Sequence, residues 1–322
     1  MKKYFPGFYP LEKGKLDIFS EELTIILDAD VLLDLFRMPP DVAGLYLKIL
    51  EDEKIKERLW LPYDVAWKFH QCVNKEILRQ IDNINSVLSN LTLCKVGLGE
   101  KRAYPYLTVN TWDRLSACIN KINAECQVER NKLQDSLKDC EIKKRINSLF
   151  EEADAKIGTP YSEAELDTIY EEGKKRYKES IPPGEDLGNT SNMRIRHHNL
   201  IVWKQILAKA KEKSGCCKFL YVTGKITDDW YYIVGGKNIS TCHELQNEFC
   251  DLKRKVHSSA TSFFVCYSSM SFVKEFSKKQ KNQKDDMDRL IKHLAENSEV
   301  YSTPSRYMEN NQTMKSNNST NG

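Results

Sequence analysis

The chain has 322 residues, 40% of them hydrophobic and 30% charged, enough to bury a core without disulfide or metal staples. Its 49 basic and 46 acidic residues leave a net charge of +3, a balance that argues neither for nor against nucleic acid, since a local basic groove can hide inside it. The ten cysteines are scattered without a CxxC pair, no apolar run is long enough to cross a membrane, and the opening MKKYFPGFYPLEKGKL lacks the apolar stretch of a secretory signal. Reduced thiols in a cytoplasmic protein are the expectation.

In chain order, Leu23 to Leu27 of LTIILDADVLLDLF is a short apolar, β-branched run that predicts a buried parallel strand. Val31, Leu32, Leu35 and Phe36 then recur at helical spacing, so Asp28 and Asp30 sit at a strand-to-helix junction. RLWLPYDVAWKFH predicts a short strand around Leu59 to Leu61, a break at Pro62 and a further helix. Residues 81–177 are charged and periodic and predict a long helical insertion, interrupted near Gly97–Pro105 and near Gly158–Pro160. After the IPPGEDLGNTSN loop come a helix carrying Leu200, Trp203 and Leu207, and a second buried strand, KFLYVT (218–223). GKITDDWYY follows that strand. A helix near His243–Lys255, a third strand in SSATSFFVCYSS and the helix SFVKEFSKK complete a body spanning 1–277. Residues 278–322 are polar, with one weak helix and an Asn/Ser/Thr-rich end expected to be disordered. Strands alternating with helices predict an α/β protein with a central parallel sheet flanked by helices.

In such sheets ligands bind at the carboxyl ends of the strands. Asp28 and Asp30 after the first strand, with Asp228 and Asp229 after the later one, would face one edge. Converging carboxylates at that place suit a divalent metal that activates water against a phosphodiester. Each aspartate alone reads more readily as a helix cap or turn residue, and it is their joint placement that brings the functional reading level with that one.

The order LDADVLLDLF, RLWLPYDVAWKFH, helical insertion, IPPG, NLIVWKQIL, FLYVTGKITDDW and HELQNEF resembles the PIN-like domain family (the PIN_8 or DUF4935 type) over roughly residues 5–276. The resemblance implies a PIN-like fold and the acidic pocket of a metal-dependent ribonuclease. It places the family's first acid on Asp28, the polar residue two places on at Asp30, and the acid before tryptophan on Asp229. It also implies that three acids are altered: one falls on Lys68, one on Asn199 and one on Gly224. Lys68 is expected to pair with Asp28 and fill the space of a metal, leaving Asp28 and Asp229 as the metal ligands if any metal binds.

Other candidates have ordinary readings beside them. His70, His197 and His198 lack zinc-type spacing and read as structural or surface residues. Glu185 and Asp186 could relocate lost acidity, or be a solvated loop pair. Trp203 and Trp230 read as core rather than as base-stacking platforms. Arg194, Arg196, Lys204 and Lys225 could contact phosphates, or be surface charge. Three functions follow: a PIN-like protein with weakened or lost catalysis that binds RNA or a protein; an active ribonuclease using Mg or Mn held by Asp28, Asp30, Asp228 and Asp229; or an interaction module that meets a protein partner through the helical insertion.

Overall fold

The computed structural model describes residues 1, 5–9, 16–99, 104, 106–151, 156–184, 191–213, 215, 217–256, 262–279 and 283–298. Strand β1 (Leu23–Leu27) runs into helices α1 (Ala29–Asp34), α2 (Pro40–Glu51) and α3 (Glu53–Lys56). Helices α4 (Tyr63–Leu98), α5 (Val109–Ser136), α6 (Glu141–Ser148), α7 (Glu163–Lys178), α8 (Met193–Arg196) and α9 (His198–Glu212) follow. Then come β2 (Lys218–Thr223), β3 (Tyr231–Val234), β4 (Lys237–Thr241), α10 (His243–Val256), β5 (Phe263–Ser268), α11 (Ser269–Ser277) and α12 (Lys284–Ser298). Two compact units divide the chain: Met1–Phe69 with Ile146–Gly322, and His70–Arg145.

The first unit is built on a parallel sheet in the order β1-β2-β5. Every residue of β1 is buried, as are Phe219 to Thr223 of β2, which matches the continuous apolar runs expected of strands covered on both faces. Trp203 of α9 is fully buried and meets Phe264 edge-on at 4.9 Å, while Trp230 lies 4.3 Å from Tyr221. Both tryptophans are core residues, each burying enough apolar surface to contribute about 1.5–3 kcal/mol or more. Because the strands are parallel, Asp28, Gly224 and Ser269 all follow strand ends on one edge.

The strand expected at Leu59–Leu61 shrinks to single bridges, Ile25 with Leu59 and Leu61 with Ile157. Pro62 lacks the amide that a longer ladder would need. An antiparallel hairpin, β3–β4, stands where only a polar strand end was expected. Its turn is Gly235–Gly236, both at positive φ (57° and 75°), the conformation that lets a two-residue loop match the twist of its strands.

Helix α7 starts at a capping box in which Ser162 and Glu165 bond each other's backbone amides, and it packs on α9. At the far end of the chain, α12 buries Met287 and Leu290 and packs on α2 and α11. Residues 299–322, for which disorder was expected, lie outside the described residues.

The second unit is helical. Val73, Ile77 and Ile81 recur every four residues on α4 and are buried, and Ile119 of α5 is buried as well. The Lys95 ammonium donates to Asn120 Oδ1 at 2.8 Å, joining α4 to α5. The break between these helices falls at the expected interruption, and Gly99 approaches Trp112 so closely that a Cβ there would lie 3.3 Å from the ring. Among the described residues no helix is long and apolar enough to cross a membrane, and the described cysteines are free thiols.

Candidate acidic site at the strand ends

Asp28 occupies the N-cap position of α1, yet its side chain makes no capping hydrogen bond. Instead its Oδ2 accepts from the Thr223 hydroxyl at 3.0 Å, which ties the end of β1 to the end of β2. The residue is buried, and its Oδ1 has no hydrogen-bond partner. Burial, reinforced by the Asp28 charge, pushes the Tyr221 phenol well above its usual range, so it stays protonated.

Asp30 lies in the first turn of α1 and is also buried. Burial alone would raise its pKa, but the Lys68 and Lys225 charges outweigh that and hold it below the usual range. Lys225, just after β2, contacts it directly at 3.2 Å. Burial would lower the Lys225 pKa, and the Asp30 carboxylate overrides this and raises it. Lys68 of α4 is half-buried, and its charge bears on Asp30 and on His198.

A third acid in the cluster, Asp34, escaped the sequence reading. It follows Asp30 by four residues and so shares its face of α1. Its Oδ1 accepts from Arg37 at 2.7 Å. Burial pushes its carboxyl up to about 6, with the Arg37 charge pulling the other way. A Cβ on Gly224 would stand 2.8 Å from Asp34 Oδ2, so Asp34 occupies the space that a side chain at 224 would need.

Asp64 was missed too, since an acid in the first turn of a helix after proline reads as an ordinary partner of the helix dipole. It is fully buried. Arg194 Nε donates to its Oδ1 at 2.7 Å, and His198 Nδ1 bonds its Oδ2 at 2.6 Å. The Arg194 guanidinium also lies 4.4 Å over the Trp67 ring. Burial, then the Lys68 charge, lower the His198 pKa despite Asp64. His198 is therefore a neutral imidazole whose Nδ1–H donates to Asp64.

Asp229 belongs to a neighbouring arrangement. Its Oδ1 accepts from the Gly184 amide at 3.0 Å and its Oδ2 from the Asn199 side-chain amide at 2.7 Å. The first turn of α9 thus presents His198 to Asp64 and Asn199 to Asp229. Asp228 is half-buried in the turn before β3.

The remaining candidates lie elsewhere. Lys204 is paired with Glu172 at 2.7 Å, beside Arg176 and Glu248, in a groove of about 970 Å³ between α7, α9 and α10. His197 is buried against α7, where a Cβ on Gly173 would come within 2.5 Å of its ring. Arg196 ends α8 half-buried, and His70 is exposed in the helical unit. Glu185 and Asp186 lie outside the described residues.

The strand ends and α1 therefore set Asp30 against Lys225 and Asp34 against Arg37, with the Lys68 charge also on Asp30 and with Asp28 bonded to Thr223. Among the described residues, no group of three or more His, Cys, Asp or Glu side chains is arranged to hold a metal ion. No curated protein and no solved structure matches the chain. A family described as PIN like domain matches residues 24–245, from β1 to the start of α10. That span covers most of the chain and takes in both strand ends that carry the acids, and the chain belongs to the PIN-like domain family.

Proposed function

We propose that this protein descends from metal-dependent ribonucleases, has weakened or lost catalysis, and retains an RNA-binding role. The observation that carries the reading is the ion pair between Lys225 and Asp30, with the Lys68 charge on the same carboxylate. A divalent cation needs several oxygen ligands with net negative charge, because removing its water shell must be offset by anionic oxygens. Here two ammonium charges already bear on Asp30, and a metal entering the cluster would meet their repulsion. Asn199 supplies only a neutral amide, whose nitrogen donates to Asp229, and Gly224 supplies nothing. Magnesium and manganese do not fit this donor set. Lysines beside carboxylates can exchange partners with a phosphate, since each ammonium has three donors.

A second reading, an active Mg- or Mn-dependent ribonuclease, is favoured by one observation: Asp28 Oδ1 is buried without a partner. An uncompensated carboxylate oxygen is the kind of atom that an ion would satisfy.

Titrating the full chain with Mn²⁺ while following the paramagnetic signal of the free ion separates the two. The expected result is no stoichiometric uptake by wild type, and uptake by Lys68→Glu. Stoichiometric uptake by wild type that Asp28→Asn removes would overturn the proposal.

A further inference from the structure

Beside the acid cluster lies a cavity of about 190 Å³ that the nuclease lineage does not account for. Its polar wall includes the Asp34–Arg37 pair beside His293 and two serines, its floor is Gly224, and its apolar walls include Met38, Ile226, Met270 and Leu294. At about 30 Å³ per water, it has room for roughly six waters, enough for one planar ring system and too little for a whole nucleotide.

The chemistry of the lining selects the occupant. Asp34 and Arg37 together are neutral, so a charged ligand group would face one like charge and leave one partner unanswered. A neutral group with an acceptor and a donor side by side satisfies both: guanidinium N–H to the acceptor, carboxylate to the donor. Every nucleobase carries such a pair on its Watson–Crick edge. The two thioethers and the aliphatic groups would cover its faces, and methionine adapts well to a flat aromatic surface. The residue after Gly224 at the cavity floor, Lys225, is where a phosphate would be held.

We propose that this cavity is a nucleobase subsite, receiving an unpaired base whose flanking phosphate is bound by Lys225. The proposal rests on the RNA-binding reading above and deepens it by adding a ligand contact outside the acid cluster. One wall comes from α12, which gives that helix a part in recognition.

The test measures binding of fluorescein-labelled ribotetranucleotides to the full chain by anisotropy, beside an abasic tetramer of the same backbone and free nucleoside monophosphates. The base-bearing tetramer should bind at least about tenfold tighter than the abasic one, the scale of burying one base. Met270→Trp and, independently, Leu294→Phe fill the cavity from half-exposed positions. Each should bring base-bearing affinity down to the abasic level and leave abasic affinity unchanged, with thermal melting confirming the fold. Monophosphates competing with the tetramer identify a free-nucleotide site, and tetramer binding without such competition identifies a site on RNA; both support a base subsite. Equal affinity for base-bearing and abasic tetramers overturns the subsite and leaves RNA binding standing. Binding of neither overturns both. A base preference that survives both filling variants also overturns the assignment to this cavity.

Discussion

The Lys225 ammonium stands 3.2 Å from Asp30, joining the residue that follows β2 to the first turn of α1. This contact lies across the edge where a parallel sheet gathers its ligands, so the chain's own cation sits among the acids. The Lys68 charge reaches the same carboxylate from α4. Together the two lysines set fixed positive charge against the Asp30 carboxylate.

Lys68 is the first handle on that balance. Its charge is the second cause, after burial, holding the His198 pKa down. Lys68→Met should therefore raise the His198 pKa, read from its imidazole resonances by NMR. An unchanged titration would mean that the ammonium points away from the site.

Asp34 makes stability depend on pH. Its folded pKa of about 6 lies above the unfolded 3.8, so the folded state binds the proton more tightly. The resulting stability is fully present below the unfolded value and is lost as pH rises through about 6. Asp34→Asn should flatten this dependence and stabilise the protein at pH 7.5 by about 1–3 kcal/mol, less whatever the Arg37 pair contributes. Urea denaturation at pH 4.5 and 7.5 measures it, and parallel losses in both chains would contradict it.

Restoring an acid at 224 should not be harmless. Gly224→Asp would drive a Cβ to within 2.8 Å of Asp34 Oδ2 and set two carboxylates together. The expected cost is about 1–3 kcal/mol. Asp34→Gly in the same chain should recover most of it, a coupling that a double-mutant cycle measures.

The Arg194–Asp64–His198 cluster should be among the least tolerant places in the first unit. Asp64→Ala leaves a partly exposed guanidinium and a buried imidazole N–H without their acceptor. A loss of about 1–3 kcal/mol is expected, measured by chemical denaturation. Lys204→Ala, on a partly exposed pair, should cost about 1 kcal/mol or less.

Much of the fold was legible in the residues. β1, β2 and β5 are short apolar runs bounded by polar residues, and a strand covered on both faces has little other pattern to show. The β3–β4 hairpin was legible but passed over: YYIV, Gly-Gly and KNIST carry a strand, a two-residue turn and a strand. The site was only partly readable. Asp28 and Asp30 announce themselves by their place after a strand. Asp34 and Asp64 look like ordinary helix acids, and their roles come from Gly224, Arg194 and His198, which tertiary packing brings near. The neutralising contact of Lys225 is likewise invisible until β1 and β2 are paired.

The most direct measurement is cleavage of single-stranded RNA in Mn²⁺ by wild type, Asp28→Asn and Lys68→Glu. If built-in cations have displaced the metal, wild type and Asp28→Asn leave the RNA intact, while Lys68→Glu gains metal-dependent cleavage. Cleavage by wild type that requires Mn²⁺ and disappears in Asp28→Asn would contradict it.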